Sequence, residues 1–486
     1  MSSILESLRA LADLTWLRVA TLLLAFVARA AASANVPTES EMVSLLPEDV
    51  RPSTRWVPQE RNAYSNWVFA TSNWVRVSSG LRTPLRQFGN VDQPITNTAA
   101  HIQAISNLVT ANLPALKAFG AGIRQGQLQP ASRTNRDYTG LARDMFDLRL
   151  AQNRFLLLNG QTSEVCSNLC DNLAAGRMLL EQSDSVSQLL AVTLNTIACV
   201  QIQSLIQQQA VSSFDLSKLA DALDRESLAG SAMVEAIKEW SLVSLLELKQ
   251  KIDRMTSTDE SAEMVLEMPI SELISDAMPL LADPGLIARH PQPIDYSATA
   301  AEYAGLARRH IAAWTSNDTN GLSGLHSTAV ANRLMQDAAP LLEKGKNVEK
   351  PLSAEDAERL APLHRAISNP VGRMALSFDW DEIFALTMRR FQRAETIRKI
   401  TRIAIELELH RRLVGKLPRR LDELPVVAAR PDLAVDSQTK TPFAYSSQAG
   451  RLWSLESEGD FPHRPAEVRT NRFRGLAWPT LPPPKP

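Results

Sequence analysis

Hydrophobic residues recur at intervals of three and four along most of the chain, from about residue 38 to about residue 390, which is the period of an amphipathic helix. In one stretch, Leu141, Met145 and Leu148 share a face, and Asn159-Gly160 follows where left-handed backbone geometry would end the helix. The pattern therefore predicts a body that is almost entirely helical.

The helical segments follow one another as hairpins. Residues 185–209 are apolar over a broad arc, which is typical of a helix buried between neighbours, and Ser212 or Ser213 then caps the next helix. A fixed repeat of about 30 to 45 residues, which tetratricopeptide or HEAT arrays require, does not align along the chain. The sequence predicts a mainly α fold built as an irregular array of helical hairpins.

Breaks in the periodicity suggest the division of the chain. Residues 278–297 are rich in proline and predict a linker or long loop, whereas Ser353 with Asp356 three residues on predicts a new helix start. The predicted segments are a signal peptide or short anchor (1–36), an N-terminal helical domain (37–285), a second helical segment (286–390), a helix with a β-hairpin (391–460) and a proline-rich, extended tail (461–486).

The C-terminal part departs from the all-helical pattern. A helix with an apolar stripe at Ile397, Ile400, Ala404 and Leu407 is expected to end at Gly415. Two short runs of strand composition, PFAYSS and RLWSLES, then flank the turn at residues 448–450. A small α+β unit, one helix and one hairpin, is predicted to close the chain.

This C-terminal order resembles the globular end of type II secretion pseudopilins. The resemblance covers about 70 residues, and the chain lacks the N-terminal processing site and assembly helix of a pseudopilin. Calcium binding is not expected from it, because Glu458 and Asp460 supply too few oxygen ligands. The residues that match the pseudopilin pattern are Asp436, Pro442, Phe443, Tyr445, Trp453, Ser454, Leu455, Gly459 and Asp460.

The layout as a whole is similar to that of a group of exported helical proteins from planctomycete-type bacteria. In that layout a signal or anchor precedes a Pro-acidic-x-Asn-Ala-Tyr segment, here residues 58–64, and helical hairpins precede an Asn-Pro-x-Gly-Arg segment, here residues 369–373. A pseudopilin-like end follows. The resemblance implies an architecture and carries no particular activity with it.

Composition and charge narrow the functional classes. The chain has 486 residues, 44% hydrophobic and 22% charged, as in folded globular proteins. Its 52 Lys and Arg nearly balance 53 Asp and Glu, giving a formal charge of -1. No overall field attracts nucleic acid or an anionic membrane, so an electrostatic partner would bind a local patch.

The N-terminus raises the question of export. An apolar run from Val19 to Ala28 has the length of a signal-peptide core, and Ala32-Ser33-Ala34 matches an A-x-A cleavage site. Arg18 and Arg29 flank the run, and alternatives are a short uncleaved anchor or an amphipathic docking helix. The expected location is the periplasm or cell envelope, with membrane contact through residues 1–36; the alternative is the cytoplasm.

The candidate reactive groups each have a structural alternative. Asp379, Asp381 and Glu382 could serve a glycosidase only if opposed across a cleft, whereas their position favours an N-cap and a first-turn acid cluster. Cys166 and Cys170 lie four apart without a histidine at ligand spacing, which favours buried thiols.

Signatures of common enzyme classes are missing from the sequence. The seven histidines form no H-E-x-x-H frame, and neither G-x-S-x-G nor the P-loop motif occurs. Residues 120–126, GAGIRQG, miss the dinucleotide fingerprint and predict a helix end instead. No catalytic residue, cofactor or metal site is assigned, and an enzyme is not the favoured class.

Two binding surfaces remain as candidates. Trp67 and Trp74 lie on one helical face with Tyr64 and could stack on sugars, although such a stripe is also typical of core. Residues 389–420 hold eleven Lys or Arg against three Glu and could bind an anionic partner, or form a solvated helix face. The residues that carry this hypothesis are Arg398, Arg402, Arg411 and Arg412.

The resulting hypothesis is a non-enzymatic, exported scaffold that binds another envelope protein. One alternative is an envelope glycan hydrolase that uses the acidic residues. A second alternative, nucleic-acid binding through the basic helix 389–420, predicts an affinity that falls steeply with salt.

Overall fold

The computed structural model describes residues 39–477 apart from 54–56, 91–94, 131–136, 183–184, 227–229, 258–276, 282, 288, 291–293, 317, 319–321, 323–324, 349–351, 378–379, 449 and 456–472. This described part is mainly helical, as predicted. Its helices are α1 (Glu39–Leu45), α2 (Tyr64–Ser72), α3 (Ser79–Gly89), α4 (Ala99–Ala111), α5 (Leu113–Gln125), α6 (Asp137–Leu158), α7 (Thr162–Leu180), α8 (Ser185–Gln207), α9 (Ser213–Arg225), α10 (Gly230–Ser257), α11 (Met278–Leu281), α12 (Pro284–Ile287), α13 (Tyr296–Ser316), α14 (Leu325–Gly345), α15 (Ala354–Arg365), α16 (Pro370–Leu376), α17 (Trp380–Val414) and α18 (Pro425–Ala429).

The chain divides into two compact units, each discontinuous in sequence. Unit 1 comprises Met1–Ser53 and Val234–Leu386, and unit 2 comprises Thr54–Met233 and Thr387–Pro486. The boundaries fall inside α10 and α17. They differ from the predicted segment limits, because the prediction followed proline-rich breaks whereas packing joins segments that are distant in sequence.

One hydrophobic core of unit 2 joins α7, α8 and α9 to the C-terminal part of the chain. Ile400, Ala404 and Leu407 are fully buried in it, and Ile397 packs against it, so the predicted stripe of α17 is the buried face. Phe443 and Leu452 from the hairpin region complete this core. The C-terminal α+β segment is therefore part of the same core as α7 to α9.

The predicted helix ends agree with the backbone. Gly160 and Gly415 follow α6 and α17 with φ of 72° and 80°, a conformation that side-chain-bearing residues rarely adopt. The Oγ atoms of Ser212 and Ser353 accept hydrogen bonds from the amides three residues on, at 3.0 and 3.1 Å. These caps fix where α9 and α15 begin.

The C-terminal sheet contains the predicted hairpin and a third strand. Strands β1 (Ala444–Ser446), β2 (Arg451–Leu455) and β3 (Phe473–Ala477) are antiparallel in that order. Tyr445 pairs with Leu452, and Leu452 with Leu476. Part of the predicted tail thus forms a strand by pairing with β2, which its irregular apolar spacing does not signal.

Unit 1 contains the region predicted as a linker. Leu280, Leu281 and Leu286 of this region are buried in a core with α14 and α15. The prolines that interrupt the periodicity, Pro279 and Pro284, lie in the first turns of α11 and α12, where proline is tolerated. The three leucines are therefore packed in the core, and the periodicity fails here because α11 and α12 are only one turn long.

Two predictions concern a membrane. The predicted signal peptide or anchor, residues 1–36, lies outside the described residues. Among the described helices, the segment Val186–Gln207 of α8 is long and apolar enough to span a membrane, and 67% of its apolar window is buried inside the protein. That burial agrees with the core helix predicted from its broad apolar arc.

Candidate functional site

Asp381, the acidic candidate whose side chain is described, is buried near the start of α17 in unit 1. It accepts hydrogen bonds from Arg309 Nη2 at 3.0 and 3.1 Å and from His310 Nε2 at 2.9 Å. Asp379 and the side chain of Glu382 lie outside the described part. Asp381 thus lies in the first turn of α17, where an acid was predicted, and it is also an internal ion-pair partner.

His310 lies between aromatic rings on the same site. Its ring stacks on Phe384 at 4.3 Å, nearly parallel, and Trp240 lies 5.9 Å away. Burial lowers the pKa of His310 below its ordinary value, despite the opposing hydrogen bond to Asp381. The neutral imidazole donates Nε2–H to the carboxylate, and this contact joins α13 to α17. No local feature of the chain indicates this contact, because the partners are 71 residues apart.

The basic helix candidates of α17 are paired within unit 2. Arg398 Nη1 donates to the Leu223 carbonyl at 2.8 Å, and its other nitrogens bind Glu395. Arg402 donates to Asp224 at 2.9 Å and also to Glu406. Both guanidinium groups are buried against α9, so neither offers a free cation to a nucleic-acid phosphate.

Glu408 neutralises the other two arginines. Its carboxylate is buried and accepts two hydrogen bonds from Arg411 and one from Arg412, each at 2.7 Å. Burial opposes its ionisation, but these hydrogen bonds outweigh burial and lower its pKa. Arg412 also donates to the Val211 carbonyl at 2.8 Å. The spacing of three and four from Glu408 is the sequence signal that a count of charges overlooks.

The tryptophan candidates occupy different environments. Trp67 is fully buried, with its ring 4.7 Å from Phe119 and 6.2 Å from Tyr138. It therefore offers no open face to a sugar, and the core interpretation holds for it. Trp74 follows α2 and is half-buried, with the Arg76 guanidinium 5.0 Å from its ring centroid.

Asp436 organises the turn before the hairpin. Its Oδ1 accepts the amides of Gln438 and Thr439 at 2.6 and 2.9 Å, and Oδ2 accepts the hydroxyl of Ser454. Tyr445 donates its hydroxyl to the Pro418 carbonyl at 2.8 Å. Asp436, Tyr445 and Ser454 of the pseudopilin-like pattern thus stabilise the hairpin region through these hydrogen bonds.

The three cysteines are free thiols in unit 2. Cys166 and Cys199 are buried, and Cys170 is half-buried. Burial raises the pKa of Cys166 and Cys199 to about 12 and that of Cys170 to about 11. The thiolate, which is the nucleophile and metal ligand, is therefore strongly disfavoured at all three positions.

Alkylation by iodoacetamide at about pH 8 measures how strongly burial disfavours the thiolate. At that pH an ordinary thiol, with a pKa of about 8.5, is partly ionised and reacts readily. We expect each of the three cysteines to react at least about a hundredfold more slowly in the native protein than in the same protein unfolded in guanidinium. Cys170 should be the fastest of the three. Equal native and unfolded rates, followed by mass spectrometry, would contradict the burial described here.

One end of unit 2 exposes large apolar side chains where four helices, α6, α7, α9 and α17, terminate or begin. Arg412 Nη1 donates to the Val211 carbonyl and to Ser213 Oγ, so the end of α17 lies beside the start of α9. Ser163 Oγ donates to Asp215 at 2.8 Å, which places the start of α7 there too. We call this surface the apolar end; its residues and exposed fractions are Leu158 (61%), Phe214 (69%), Leu413 (87%) and Val414 (48%).

The described residues contain no group of three or more His, Cys, Asp or Glu placed to hold a metal ion. Comparisons of the chain with protein-family models, with curated proteins and with solved structures give no match. The resemblances drawn from the sequence therefore stay predictions, and the function has to be inferred from the surfaces.

Proposed function

We propose that the protein is a non-enzymatic interaction protein of the cell envelope, which binds a partner protein through the apolar end. The supporting observation is the exposure of four large apolar side chains at helix ends that hydrogen bonds hold together. Exposed apolar groups in one contiguous patch mark interaction surfaces, whereas scattered ones do not.

The energetics set how much of the apolar end a partner must cover. Full burial of an exposed Val, Leu or Phe side chain contributes roughly 1.5 to 3 kcal/mol, and because these four are already partly buried, together they contribute on the order of 4 to 8 kcal/mol. Association costs roughly 4 to 15 kcal/mol in lost freedom. A partner would therefore have to cover the four side chains together.

The internal pairing of the charged candidates favours binding over catalysis. Asp381 accepts hydrogen bonds from Arg309 and His310, and Glu408 accepts them from Arg411 and Arg412. A glycosidase needs opposed carboxylates about 5 to 10 Å apart across a cleft, whereas Asp381, the described side chain of the acid cluster, is buried and already paired. The envelope location is supported by the apolar run and A-x-A site of the N-terminal sequence.

The partner contact is tested by placing a photoreactive amino acid at Leu413 in the native cell. We expect one discrete cross-linked product, identified by mass spectrometry as an envelope protein, whose yield falls by about tenfold or more when Phe214→Asp is added. The reason is that a buried carboxylate opposes association at the centre of an apolar contact.

A photoreactive residue at Lys346, which is exposed in unit 1, serves as the matched control. Equal product patterns from the two positions, or a Leu413 product that survives Phe214→Asp, would reject the apolar end as the binding surface. Fractionation with mass determination of the mature N-terminus tests location separately. A mature chain starting at Asn35 outside the cytoplasm supports export, and an intact Met1 in the soluble cytoplasm contradicts it.

A further inference from the structure

A second surface of unit 2 has an unusual charge composition. The chain from Arg61 to Arg136 contains eight Lys or Arg and a single acidic residue, Asp92. The next acid is Asp137, the first residue of α6. Since the whole chain has nearly equal numbers of acids and bases, this segment has an unusual excess of positive charge.

Hydrogen bonds bring two parts of this segment together. Asn112, between α4 and α5, donates Nδ2–H to the Val75 carbonyl and accepts the Val75 amide on Oδ1, both at 3.0 Å. The Trp74 amide donates to the Thr71 carbonyl at 3.3 Å, which folds the chain back at the end of α2. The residues after α2 are thereby fixed beside the start of α5.

Apolar side chains point outward at this junction. Phe69 is 62% exposed, Val75 48% and Leu113 45%, and Trp74 is half-buried beside them. Lys117 is exposed one turn after Leu113 on the same face of α5. We call this surface the acid-free face; its residues are Phe69, Trp74, Val75, Arg76, Leu113 and Lys117.

Carboxylates near the acid-free face are buried and occupied. Asp144 of α6 accepts the Val77 amide at 3.3 Å and lies 3.2 Å from Arg82, and Asp147 accepts from Arg86 at 2.9 Å. Among the described residues no ion pair joins Arg76 or Lys117 to an acid. Two exposed cations therefore flank exposed apolar groups, and the described carboxylates of α6 beside them, Asp144 and Asp147, already bind other groups.

We propose that the acid-free face binds an anionic lipid surface. This inference rests on the proposed envelope location, which brings the protein to a membrane. Apolar and aromatic side chains flanked by Lys and Arg are what an interfacial site presents to lipid, the former entering the headgroup boundary and the latter meeting negative headgroups. A nucleic acid would instead favour a larger number of cations along its phosphates.

Vesicle co-sedimentation of the full-length protein tests the assignment, with vesicles of phosphatidylglycerol mixed with phosphatidylcholine and vesicles of phosphatidylcholine alone. We expect preferential binding to the anionic vesicles, weakened by salt. Val75→Asp should lower the partition coefficient about tenfold or more, and Arg76→Gln about fivefold. Residues 1–36 are present in every variant, so differences between variants report on the acid-free face.

Arg419→Gln is the matched control for Arg76→Gln, because Arg419 is also an exposed arginine of unit 2 and belongs to neither the acid-free face nor the apolar end. It should bind vesicles like the unaltered protein. Unaltered binding by Val75→Asp and Arg76→Gln, or no binding to anionic vesicles at all, would overturn the proposal. So would retention on duplex DNA in place of vesicles, if the same variants abolish it. Because the apolar end is tested by other variants, either proposal can fail while the other stands.

Discussion

Replacing Trp67 with alanine is expected to lower the free energy of unfolding of unit 2 by about 3 to 5 kcal/mol. Trp67 is fully buried and packs against Phe119 and Tyr138, and its loss leaves a cavity that rigid helices cannot close. The measurement is native-state hydrogen exchange in peptides of α5, which contains Phe119.

Gly122 provides a direct test of this packing. A Cβ added at Gly122 would lie 2.5 Å from Trp67 Cδ1 and 3.1 Å from the Ala63 carbonyl oxygen. Gly122→Ala should therefore destabilise α5 when Trp67 is present and much less when Trp67 is alanine, giving a non-additive double-mutant cycle.

Gly80 of α3 is the matched glycine control, because nothing lies within 4 Å of its added Cβ. Gly80→Ala should leave stability unchanged or raise it slightly, since alanine favours helix. Strict additivity of Gly122→Ala and Trp67→Ala would show that the two residues do not meet as described.

Unit 1 is expected to lose stability as the pH falls from 6.5 towards 4, because its histidines are buried in neutral form. Burial lowers the pKa of His364 from 6.5 to about 4, with smaller effects from its hydrogen bond to the Leu281 carbonyl and from His290. Burial also lowers the pKa of His290 and of His310. The unfolded chain binds these protons at a pH where the folded chain does not, so acid favours unfolding.

For His364 alone the loss is about 3 kcal/mol between pH 6.5 and pH 4. Its ring is fully buried, and protonation would add an N–H at Nδ1, an atom without a hydrogen-bond partner among the described residues. Hydrogen exchange of α15 at several pH values measures the effect. His364→Gln should reduce the pH dependence by about that amount, as it removes the titrating group.

His101→Gln is the control for this experiment, because His101 is exposed on α4 in unit 2. It should leave the pH dependence of α15 unchanged. An identical acid profile for His364→Gln and the unaltered protein would mean that His364 does not titrate with a lowered pKa.

Local features of the fold could be read from the sequence, because their causes are local. Gly160 and Gly415 end helices through positive φ, and Ser212 and Ser353 cap helices through amides three residues away. The hairpin could be predicted for the same reason. The two discontinuous units could not be predicted. The core of unit 2 joins residues near 200 to residues near 400, and no local sequence pattern in either segment indicates which distant segment it contacts.

The sites show the same division. The hydrogen-bonded pair of His310 and Asp381 was not predicted, because no motif around either residue indicates that the two side chains meet. Charge counting placed an anion site at Arg398 and Arg402, whereas the Leu223 carbonyl and Asp224 of α9, more than 170 positions earlier, accept their hydrogen bonds. The composition of residues 61–136 was visible in the sequence, but its meaning required knowing which of its side chains are exposed.

The shared core of unit 2 also has a consequence for synthesis on the ribosome. Leu223 and Ile400 belong to that core, and the chain between them must be translated before they can meet. At about 5 to 20 residues per second this takes roughly 9 to 35 s, far longer than a helix needs to form. During that interval the nascent α7, α8 and α9 carry an uncovered apolar groove, which makes them a natural substrate for a chaperone.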